Sequence, residues 1–398
     1  MTDIQKENKS GGKVPNLRFP EFTEEWETKK LGEIADKVNS GKTPLGGEAV
    51  YTKEGVLFIR SQNVNNDGLE LDNSVFIPES VNNQMKNSIV RSNDILLNIT
   101  GASLGRSCVV PEDFKMGNVN QHVCIIRLKQ NYNPRFVQPI FSSYKGQNIF
   151  NSLQTGSGRE GLNFESIKGI KLSIPQKNEQ VKIGKLLSLI DDRISTQNKI
   201  INDLRTLKSA TAKMIFSQEL RFKDDNGNDF SEWVDKKLGD ISIKKSSNIS
   251  ANTLEENQGN FKIYGANGLL KEIDFYREEK PYIAIVKDGA GVGRLLLCEG
   301  KSSVLGTLDI IKNKEQTDLL FLYYLLETID FTKFTTGSTI PHIYFKDYSK
   351  EIIGLPSFPE QTKIANFLSS IDSKIDIENQ LLQKLEEQKK YLLQNMFV

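Results

Sequence analysis

The sequence contains little of the chemistry on which enzymes and metal sites depend. Of its 398 residues, three are cysteine and two are histidine. His122 and His342 are too few for a Cys/His zinc site, and they leave little scope for a Ser-His-Asp or Cys-His catalytic site. The cysteines, Cys108, Cys124 and Cys298, are an odd and scattered set, which is typical of buried thiols in a reducing cytosol.

Long apolar runs and a charge of one sign are missing as well. No segment approaches the roughly eighteen consecutive apolar residues of a membrane helix, and the polar first residues do not resemble a secretory signal. We therefore expect a cytoplasmic protein. The 52 lysines and arginines nearly balance the 51 aspartates and glutamates. That balance excludes a strongly basic nucleic-acid binder but not a local basic surface.

What the chain does contain is a repeat of domain size. The segment around Trp26, which continues as K-K-L-G-E-I, returns around Trp233 as K-K-L-G-D-I. The sequence GASLGR at residues 101–106 returns as GAGVGR at residues 289–294. A motif P-x-x-x-E-Q begins at Pro175 and again at Pro356. A repeat on this scale indicates two related domains rather than a short tandem array, and the chain length fits two or three domains.

Each half begins with a β-rich pattern and ends with a helical one. Short apolar runs separated by Gly, Asn, Asp and Pro fill residues 18–175 and 221–356, and they predict two β-rich domains with a few helices. Residues 176–220 and 357–398 carry apolar residues at a 3-4 spacing, which predicts two helices of roughly 35 residues, or about 50 Å each. This apolar stripe comprises Ile183, Leu187, Ile190, Ile194, Ile201 and Leu204 in the first helix and Ile364, Leu368, Ile371, Ile375, Leu382 and Leu385 in the second.

We predict an α+β fold in which the two long helices pack on each other as an antiparallel coiled coil. The alternative is that each helix covers its own domain only. Polar residues also match along the stripes, Gln197 with Glu378 and Lys208 with Lys389. Paired helices would hold two domains at a fixed separation, on the scale of the roughly 34 Å between half-sites of dimeric DNA readers. A protein scaffold could use the same geometry, so the helices alone do not identify the partner.

The repeated motifs resemble those of the specificity subunits of type I restriction–modification systems. The resemblance covers residues 17–397 and rests on W-x-x-K-K-L-G-E-I followed by S-G-K-T-P at residues 40–44, D-I-L-L-x-I-x-G-x-x-L-G, T-G-S…F…I…P, and P-x-x-x-E-Q-x-x-I-x-x-x-L-x-x-I-D. It implies that residues 18–175 and 221–356 are target recognition domains, each reading one half of a split, asymmetric DNA site. It also implies that the spacer helices, at 176–220 and 357–398, set the unread gap.

The resemblance implies partners and cofactors as well. Such a subunit has no catalysis and no cofactor of its own. It joins two adenine-N6 methyltransferase subunits that use S-adenosylmethionine and two translocase–nuclease subunits that use ATP and Mg. The two halves differ, since the second has nothing close to residues 40–44 and reads GSTIPHIYF where the first reads GSGREGLNF. This divergence suits the reading of two different half-sites, and it prevents DNA contacts from being transferred between the halves.

Motifs of catalysis are incomplete in this sequence. Gly41-Lys42-Thr43 resembles the end of a phosphate-binding loop, but Asp36 stands where that loop needs glycine. GAGVGR lacks the spacing of a dinucleotide-binding turn, and we interpret it as a turn that permits close backbone approach. Asn133-Pro-Arg-Phe136 differs by one residue from the N-P-P-F loop of adenine methyltransferases, and no cofactor-binding glycine motif precedes it. We therefore expect a protein that is not an enzyme.

Polar side chains in predicted loops are the candidates for reading DNA, because Arg, Lys, Asn and Gln bond to base edges while hydroxyl and basic groups bond to phosphates. In the first domain the candidates are Arg60, Ser61, Gln62, Asn63, Asn98, Arg106, Gln121, His122, Arg159 and Asn163. In the second domain they are Tyr264, Asn267, Lys287, Arg294, Thr336, Ser338, His342 and Tyr344.

Charge in the two β-rich domains is close to balanced, which bears on how DNA would be held. Phosphate binding depends on Lys and Arg, so we expect the isolated chain to bind DNA weakly and tight binding to need the methyltransferase partners. Basic residues outnumber acidic ones in residues 176–220, and the outer faces of the long helices are the expected docking surface. The competing hypothesis is a two-domain coiled-coil scaffold that binds proteins only. It accounts for the repeats and helices but not for the polar loops or the family motifs.

Overall fold

The computed structural model describes residues 14–154, 161–337 and 339–398, which divide into two compact units. The first unit contains the residues up to 199 together with residues 380–398, and the second contains residues 200–379. Each unit therefore combines one β-rich domain with a stretch of both long helices.

Short strands and helices make up the first β-rich domain. The strands are β1 Glu27–Lys30, β2 Ala35–Ser40, β3 Val56–Ile59, β4 Val64–Asn65, β5 Gly68–Leu69, β6 Val75–Ile77, β7 Ile89–Val90, β8 Ile95–Asn98, β9 Ser107–Val109, β10 Gly117–Val119, β11 Val123–Leu128 and β12 Lys171–Ile174. The helices are α1 Leu31–Ile34, α2 Glu79–Gln84, α3 Pro134–Ser142, α4 Tyr144–Leu153 and α5 Phe164–Gly169, followed by the long helix α6 Lys177–Phe216. The sheets have the orders β6-β3-β10-β7 and β2-β11-β8-β9, beside the pairs β1-β12 and β4-β5.

Strand β8 lies at the centre of this domain, and all four of its residues are buried. Because successive side chains of a strand point to opposite faces, its residues divide between two cores. Leu97 belongs to the core that also contains Phe136 of α3. Leu96 belongs to the core that contains Ile59 of β3 and Val119 of β10. The sheet is thus covered by helices on one face and by the second sheet on the other.

The second unit repeats this plan with shorter connections. Its strands are β13 Val234–Lys237, β14 Ser242–Ser246, β15 Phe261–Gly265, β16 Gly268–Ile273, β17 Tyr282–Val286, β18 Leu295–Cys298, β19 Ser303–Val304, β20 Leu308–Asn313 and β21 Ile352–Leu355. Its helices are α7 Leu238–Ile241, α8 Leu319–Glu327 and α9 Phe345–Tyr348, followed by the long helix α10 Phe358–Asn395. The sheet order β14-β20-β17-β18 matches β2-β11-β8-β9 strand for strand, so the sequence repeat corresponds to a structural repeat.

The two long helices run antiparallel. In the first unit, Leu187 near the start of α6 shares a core with Leu385 near the end of α10. In the second unit, Ile215 near the end of α6 shares a core with Leu368 near the start of α10. The predicted fold class, α+β with two long antiparallel helices, is confirmed. The helices contain 40 and 38 residues, more than the sequence predicts.

Each long helix also packs on a β-rich domain, so both proposed uses of the apolar stripe are present. Ile183 and Leu187 lie in the same core as Trp26 and Phe136 of the first domain. The stripe residues are buried, apart from Leu204, Ile371 and Leu382, which are partly buried. Among the described residues, no helix combines the length and the hydropathy that a membrane crossing requires.

The repeated Glu-Gln pair fastens the start of each long helix to its domain. In both units a buried glutamate accepts hydrogen bonds from an arginine and from the indole N–H of the repeated tryptophan. The partners are Arg18 at 2.7 Å and Trp26 at 3.3 Å for Glu179, and Arg221 at 3.1 Å and Trp233 at 3.0 Å for Glu360. The neighbouring glutamines, Gln180 and Gln361, accept the backbone N–H of Asn133 and Asp318. A buried carboxylate must be paired, which explains why an arginine and a tryptophan accompany the glutamate in both units.

Candidate nucleic-acid interface

In both units, loops that carry candidate residues meet at the carboxyl end of the same central strand. In the first unit the N–H of Asn98, the last residue of β8, donates to the carbonyl of Arg106 at 2.8 Å. The N–H of the following residue donates to the carbonyl of His122 at 3.0 Å. In the second unit the N–H of Val286, the last residue of β17, donates to the carbonyl of Arg294 at 2.9 Å. The sheet therefore gathers residues that are far apart in the sequence.

An arginine–asparagine pair occurs in both units, with the arginine at the same place in the repeated loop. Arg106 Nη1 donates to Asn65 Oδ1 at 3.3 Å, and Asn65 lies at the turn between β4 and β5. Arg294 Nη1 donates to Asn267 Oδ1 at 2.9 Å, at the turn between β15 and β16. Both arginines are exposed, and within the described ranges neither forms an ion pair. Asn65 was not among the residues predicted from the sequence. Asn267 stands directly before a Gly-Leu pair, whereas Asn66 and Asp67 separate Asn65 from the Gly-Leu pair of its turn.

The glycines of GASLGR and GAGVGR give these two loops their shape. Four of the five lie in the left-handed region, with φ of 73° at Gly101, 86° at Gly105, 92° at Gly289 and 84° at Gly293. A Cβ on Gly105 would come within 2.8 Å of Gln147, and one on Gly293 within 2.8 Å of Phe331. Glycine is thus required for the turn and for close packing beneath the arginine.

A chain of hydrogen bonds links the S-G-K-T-P segment to the candidates Gln121 and His122. The hydroxyl of Thr43 donates to Gln121 Oε1 at 2.8 Å. The Gln121 amide lies 2.9 Å from His122 Nε2, and His122 Nδ1 lies 2.6 Å from the hydroxyl of Thr100. When the amide donates to Nε2, the ring proton is on Nδ1, and this N–H donates to the hydroxyl of Thr100. The exposed Gln121 is thereby held in one orientation.

The same segment places Gly41 against backbone. Its N–H donates to the carbonyl of Asn120 at 3.1 Å. A Cβ at this position would lie 1.6 Å from the carbonyl oxygen of Val119, so only glycine fits. Gly41 therefore serves close backbone packing rather than a phosphate cradle.

In the second unit a different histidine cluster lies next to the end of β17. Asp288 Oδ1 lies 2.7 Å from His342 Nδ1, and Lys287 is 3.1 Å from the same carboxylate. Burial would raise the pKa of Asp288, but the bonds from His342 and Lys287 outweigh it and hold the pKa below its usual value. The exposed ring of Tyr344 stacks on His342, with the two ring centroids 6.5 Å apart. Lys346 Nζ lies 5.3 Å from the centroid of the Tyr344 ring. The cluster combines a basic group, a carboxylate and an exposed aromatic face.

Two candidates turn out to be parts of the fold rather than of the surface. Asn98 is fully buried, and its amide donates to the carbonyl of Ser61 at 2.8 Å. Asn63 is buried too, where it accepts the N–H of Arg60 at 3.0 Å and donates to the carbonyl of Glu70 at 2.8 Å. These side chains satisfy backbone groups inside the domain and do not face solvent. We therefore remove both from the candidate interface.

The other candidates differ in how freely their side chains face solvent. Gln62 is exposed, Ser61 is half-buried, and Arg60 is half-buried with its guanidinium 5.9 Å from the ring of Tyr51. Asn163 caps helix α5 by accepting the N–H of Ser166 at 2.8 Å.

Two candidates of the second domain are held by neighbouring groups. The hydroxyl of Tyr264 donates to Glu299 at 3.2 Å, and burial raises its pKa to about 12. The exposed Thr336 exchanges backbone hydrogen bonds with His342. Arg159 and Ser338 lie outside the described residues.

A cavity of about 590 Å³ in the second unit adds positive charge next to Arg294. Besides Arg294, its lining includes Arg205 and Lys213 of α6, together with Lys208 and the two carboxylates that pair with it, Glu327 and Asp372. The side chains of Arg294, Arg205 and Lys213 are exposed, and none forms an ion pair with another described residue. Unpaired cations grouped in this way favour an anionic ligand such as a phosphate.

Other chemistry is absent from the described part of the chain. No group of three His, Cys, Asp or Glu residues there is arranged to hold a metal ion. The three cysteines are buried and free, and burial raises the pKa of each to about 12. They are therefore protonated thiols at neutral pH.

The comparison with known families decides between the two readings of the repeat. A family model for the type I restriction modification DNA specificity domain matches the chain twice, at residues 23–206 and 230–387. The chain belongs to this family. It is a DNA specificity subunit of a type I restriction–modification system, the component that is not itself catalytic, and the resemblance predicted from the motifs is confirmed.

Relatives and solved structures agree with this membership. The MjaVIII specificity subunit of a type I restriction enzyme from Methanocaldococcus jannaschii is 28% identical, over 95% of this chain and 92% of its own length. The S subunit of the type I restriction–modification system from M. genitalium matches in fold with a TM-score of 0.65 at 18% identity, over 97% of this chain and 99% of that chain. A structure described as a type I R-M system matches with a TM-score of 0.54 at 14% identity, over 92% and 96% of the two chains.

Proposed function

We propose that the loops at the ends of β8 and β17 each read one half of a split, asymmetric DNA site. The observation that carries the proposal is the arginine–asparagine pair that recurs in both units, at Arg106 with Asn65 and at Arg294 with Asn267. Arginine and asparagine are the side chains that pair best with guanine and adenine edges in the major groove. Each pair stands on an exposed turn anchored to a central strand, and anchoring fixes the direction in which its polar groups point.

The residues around these pairs differ between the units, as two unlike half-sites require. Gln121 and His122 would contribute in the first unit, together with Gln62. Lys287, His342 and Tyr344 would contribute in the second. Arg205 and Lys213 would hold the DNA backbone beside Arg294, because cations contribute affinity without sequence preference. The balanced overall charge supports weak binding by the isolated chain and tight binding with partners.

The rest of the function follows from the family and is part of the proposal. The spacer helices would set the unread gap between the half-sites, and their outer faces would bind two adenine-N6 methyltransferase subunits. Two translocase–nuclease subunits would complete the assembly in the cytoplasm. S-adenosylmethionine, ATP and Mg would be bound by those partners, with no cofactor on this chain.

The proposal is tested by changing one arginine at a time and reading the methylated motif. Arg106→Gln should relax or abolish the requirement for one half of the motif, and Arg294→Gln that for the other half. The expected cost is roughly tenfold or more in methylation of the cognate site, since one bidentate base contact supplies about 1–3 kcal/mol. The measurement is methylation of DNA by the complex with its methyltransferase.

Arg91 and Arg277 provide matched controls. Both are exposed, and they precede β8 and β17, at the opposite ends of the two central strands. Arg91→Gln and Arg277→Gln should leave the motif unchanged. The proposal fails if Arg106→Gln and Arg294→Gln also leave both halves unchanged, or if the controls alter the motif equally.

A further inference from the structure

Two lysines at matching places on the long helices make the same ion pair in the two units. In the first unit, Lys389 of α10 lies 2.8 Å from Asp191 of α6. In the second unit, Lys208 of α6 lies 2.8 Å from Asp372 of α10. Each pair joins the two helices to each other. The identical arrangement shows that the helix pair itself repeats.

Each lysine has a second carboxylate partner, and here the units differ. Lys389 lies 3.2 Å from Asp67, at the turn between β4 and β5. Lys208 lies 2.9 Å from Glu327, at the end of α8. Lys389 thus joins the helix pair to the turn that carries Asn65, and Lys208 joins it to helix α8.

The turn that Lys389 reaches is fixed by three consecutive side chains. Asn65 accepts a hydrogen bond from Arg106, the candidate base reader. Asn66 Oδ1 accepts the N–H of Ser107, the first residue of β9, at 3.1 Å. Asp67 Oδ1 accepts a hydrogen bond from Lys389 Nζ. Each side chain has its own anchor, and only the last anchor lies on a spacer helix.

Lys389 is mostly buried and lies between two carboxylates. Its side chain is 18% exposed, while that of Asp67 is 77% exposed. Burial alone would lower the pKa of Lys389, but the carboxylates of Asp191 and Asp67 outweigh it and raise the pKa. Burial raises the pKa of Asp191, although Lys389 opposes that shift. An ion pair with a largely exposed carboxylate contributes little to folding stability. This ion pair does join the turn that carries Asn65 to a spacer helix.

We propose that Lys389 is a positioning residue for DNA reading, which sets the turn 65–67, and through it Asn65 and Arg106, relative to the spacer helices. A residue on the last helix of the chain then takes part in specificity for the half-site of the first domain. The inference rests on the proposed function, because it assumes that Arg106 and Asn65 face DNA.

The test compares discrimination at the two half-sites. The complex with its methyltransferase is assayed on the cognate DNA and on DNA with single base changes in each half. Lys389→Gln and Asp67→Asn should each reduce discrimination in one half-site, the half affected by Arg106→Gln, by a factor on the order of ten. Discrimination in the other half should stay as in the wild type, and the double variant should be no worse than Lys389→Gln alone.

Asp67→Asn keeps the test decisive even where Lys389→Gln disturbs the helix pair, because Asp67 takes no part in that pairing. Lys208→Gln is the matched control. It removes the equivalent ion pair between the helices in the other unit, and it should leave discrimination at the half-site of the first domain unchanged. The inference is overturned if Asp67→Asn leaves both half-sites unchanged, or if both half-sites lose discrimination equally. If Arg106→Gln itself has no effect on either half, the proposed function fails instead, so the two failures are distinguishable.

Discussion

At the scale of single residues, several charged side chains are placed where a partner decides their protonation. Glu278, in the loop before β17, is buried and is bonded by Lys245 at 2.6 Å and by Lys312. Burial would raise its pKa, but the two lysines outweigh burial and hold the pKa below its usual value. Glu278 is therefore charged at neutral pH, and this charge joins three segments of the second domain.

The lowered pKa of Glu278 predicts how the stability of the second domain depends on pH. A carboxyl group with a lowered pKa stabilises the folded state above its unfolded pKa, and that stability is lost as the pH falls through the folded value. Urea unfolding of the chain between about pH 6 and pH 3 should show a steep loss of stability. Glu278→Gln should make the chain less stable at pH 6 and its pH dependence shallower. Glu315→Gln, at an exposed site, should match the wild type, whereas an equal pH dependence in all three would contradict the account.

The residue scale is also where sequence reasoning succeeds least. Asn98 and Gln121 are both polar residues that the sequence places in loops, yet one is buried against the backbone and the other is exposed. The difference depends on which strand covers each side chain, which spacing along the chain does not encode. Asn65 was missed because its partner Arg106 comes from a distant loop that only the folded sheet brings near.

At the scale of elements, the long helices are the part that the sequence predicts best. Their apolar stripe repeats at helical spacing over many turns, and such periodicity depends on local geometry alone. The predicted ranges, 176–220 and 357–398, start within one residue of the helices at Lys177 and Phe358 but extend four and three residues beyond their carboxyl ends. Strand pairing was beyond the sequence, since short apolar runs do not specify their neighbours.

Two leucines on one turn of α6 test the helix packing. Leu187 is 2% exposed and lies in the core of the first unit, while Leu189 is 53% exposed. Leu187→Ala should lower the free energy of unfolding by about 2–5 kcal/mol, because it removes buried methyl groups and leaves a cavity. Leu189→Ala should change it by less than about 0.5 kcal/mol. Denaturant unfolding of the purified chain measures both, and equal losses would contradict the described packing.

At the scale of the whole molecule, the duplication is what relates structure to function. The same sheet order, the same Glu-Gln anchors and the same arginine–asparagine pairs occur twice. The polar residues around the pairs differ, however, and so do the second partners of Lys389 and Lys208. Repetition of the frame with divergence of the loops is what a reader of two unlike half-sites needs. A scaffold that binds only proteins would not require unpaired arginines at both turns.

The most direct test of this account is to sequence the modified bases of DNA from a methylation-free host. The host would express this chain together with its methyltransferase, and a second culture would express the methyltransferase alone. The account predicts one split motif with an N6-methyladenine on each strand, present only in the first culture. Co-purification of the two proteins without any methylated motif, or the same motif in both cultures, would contradict it.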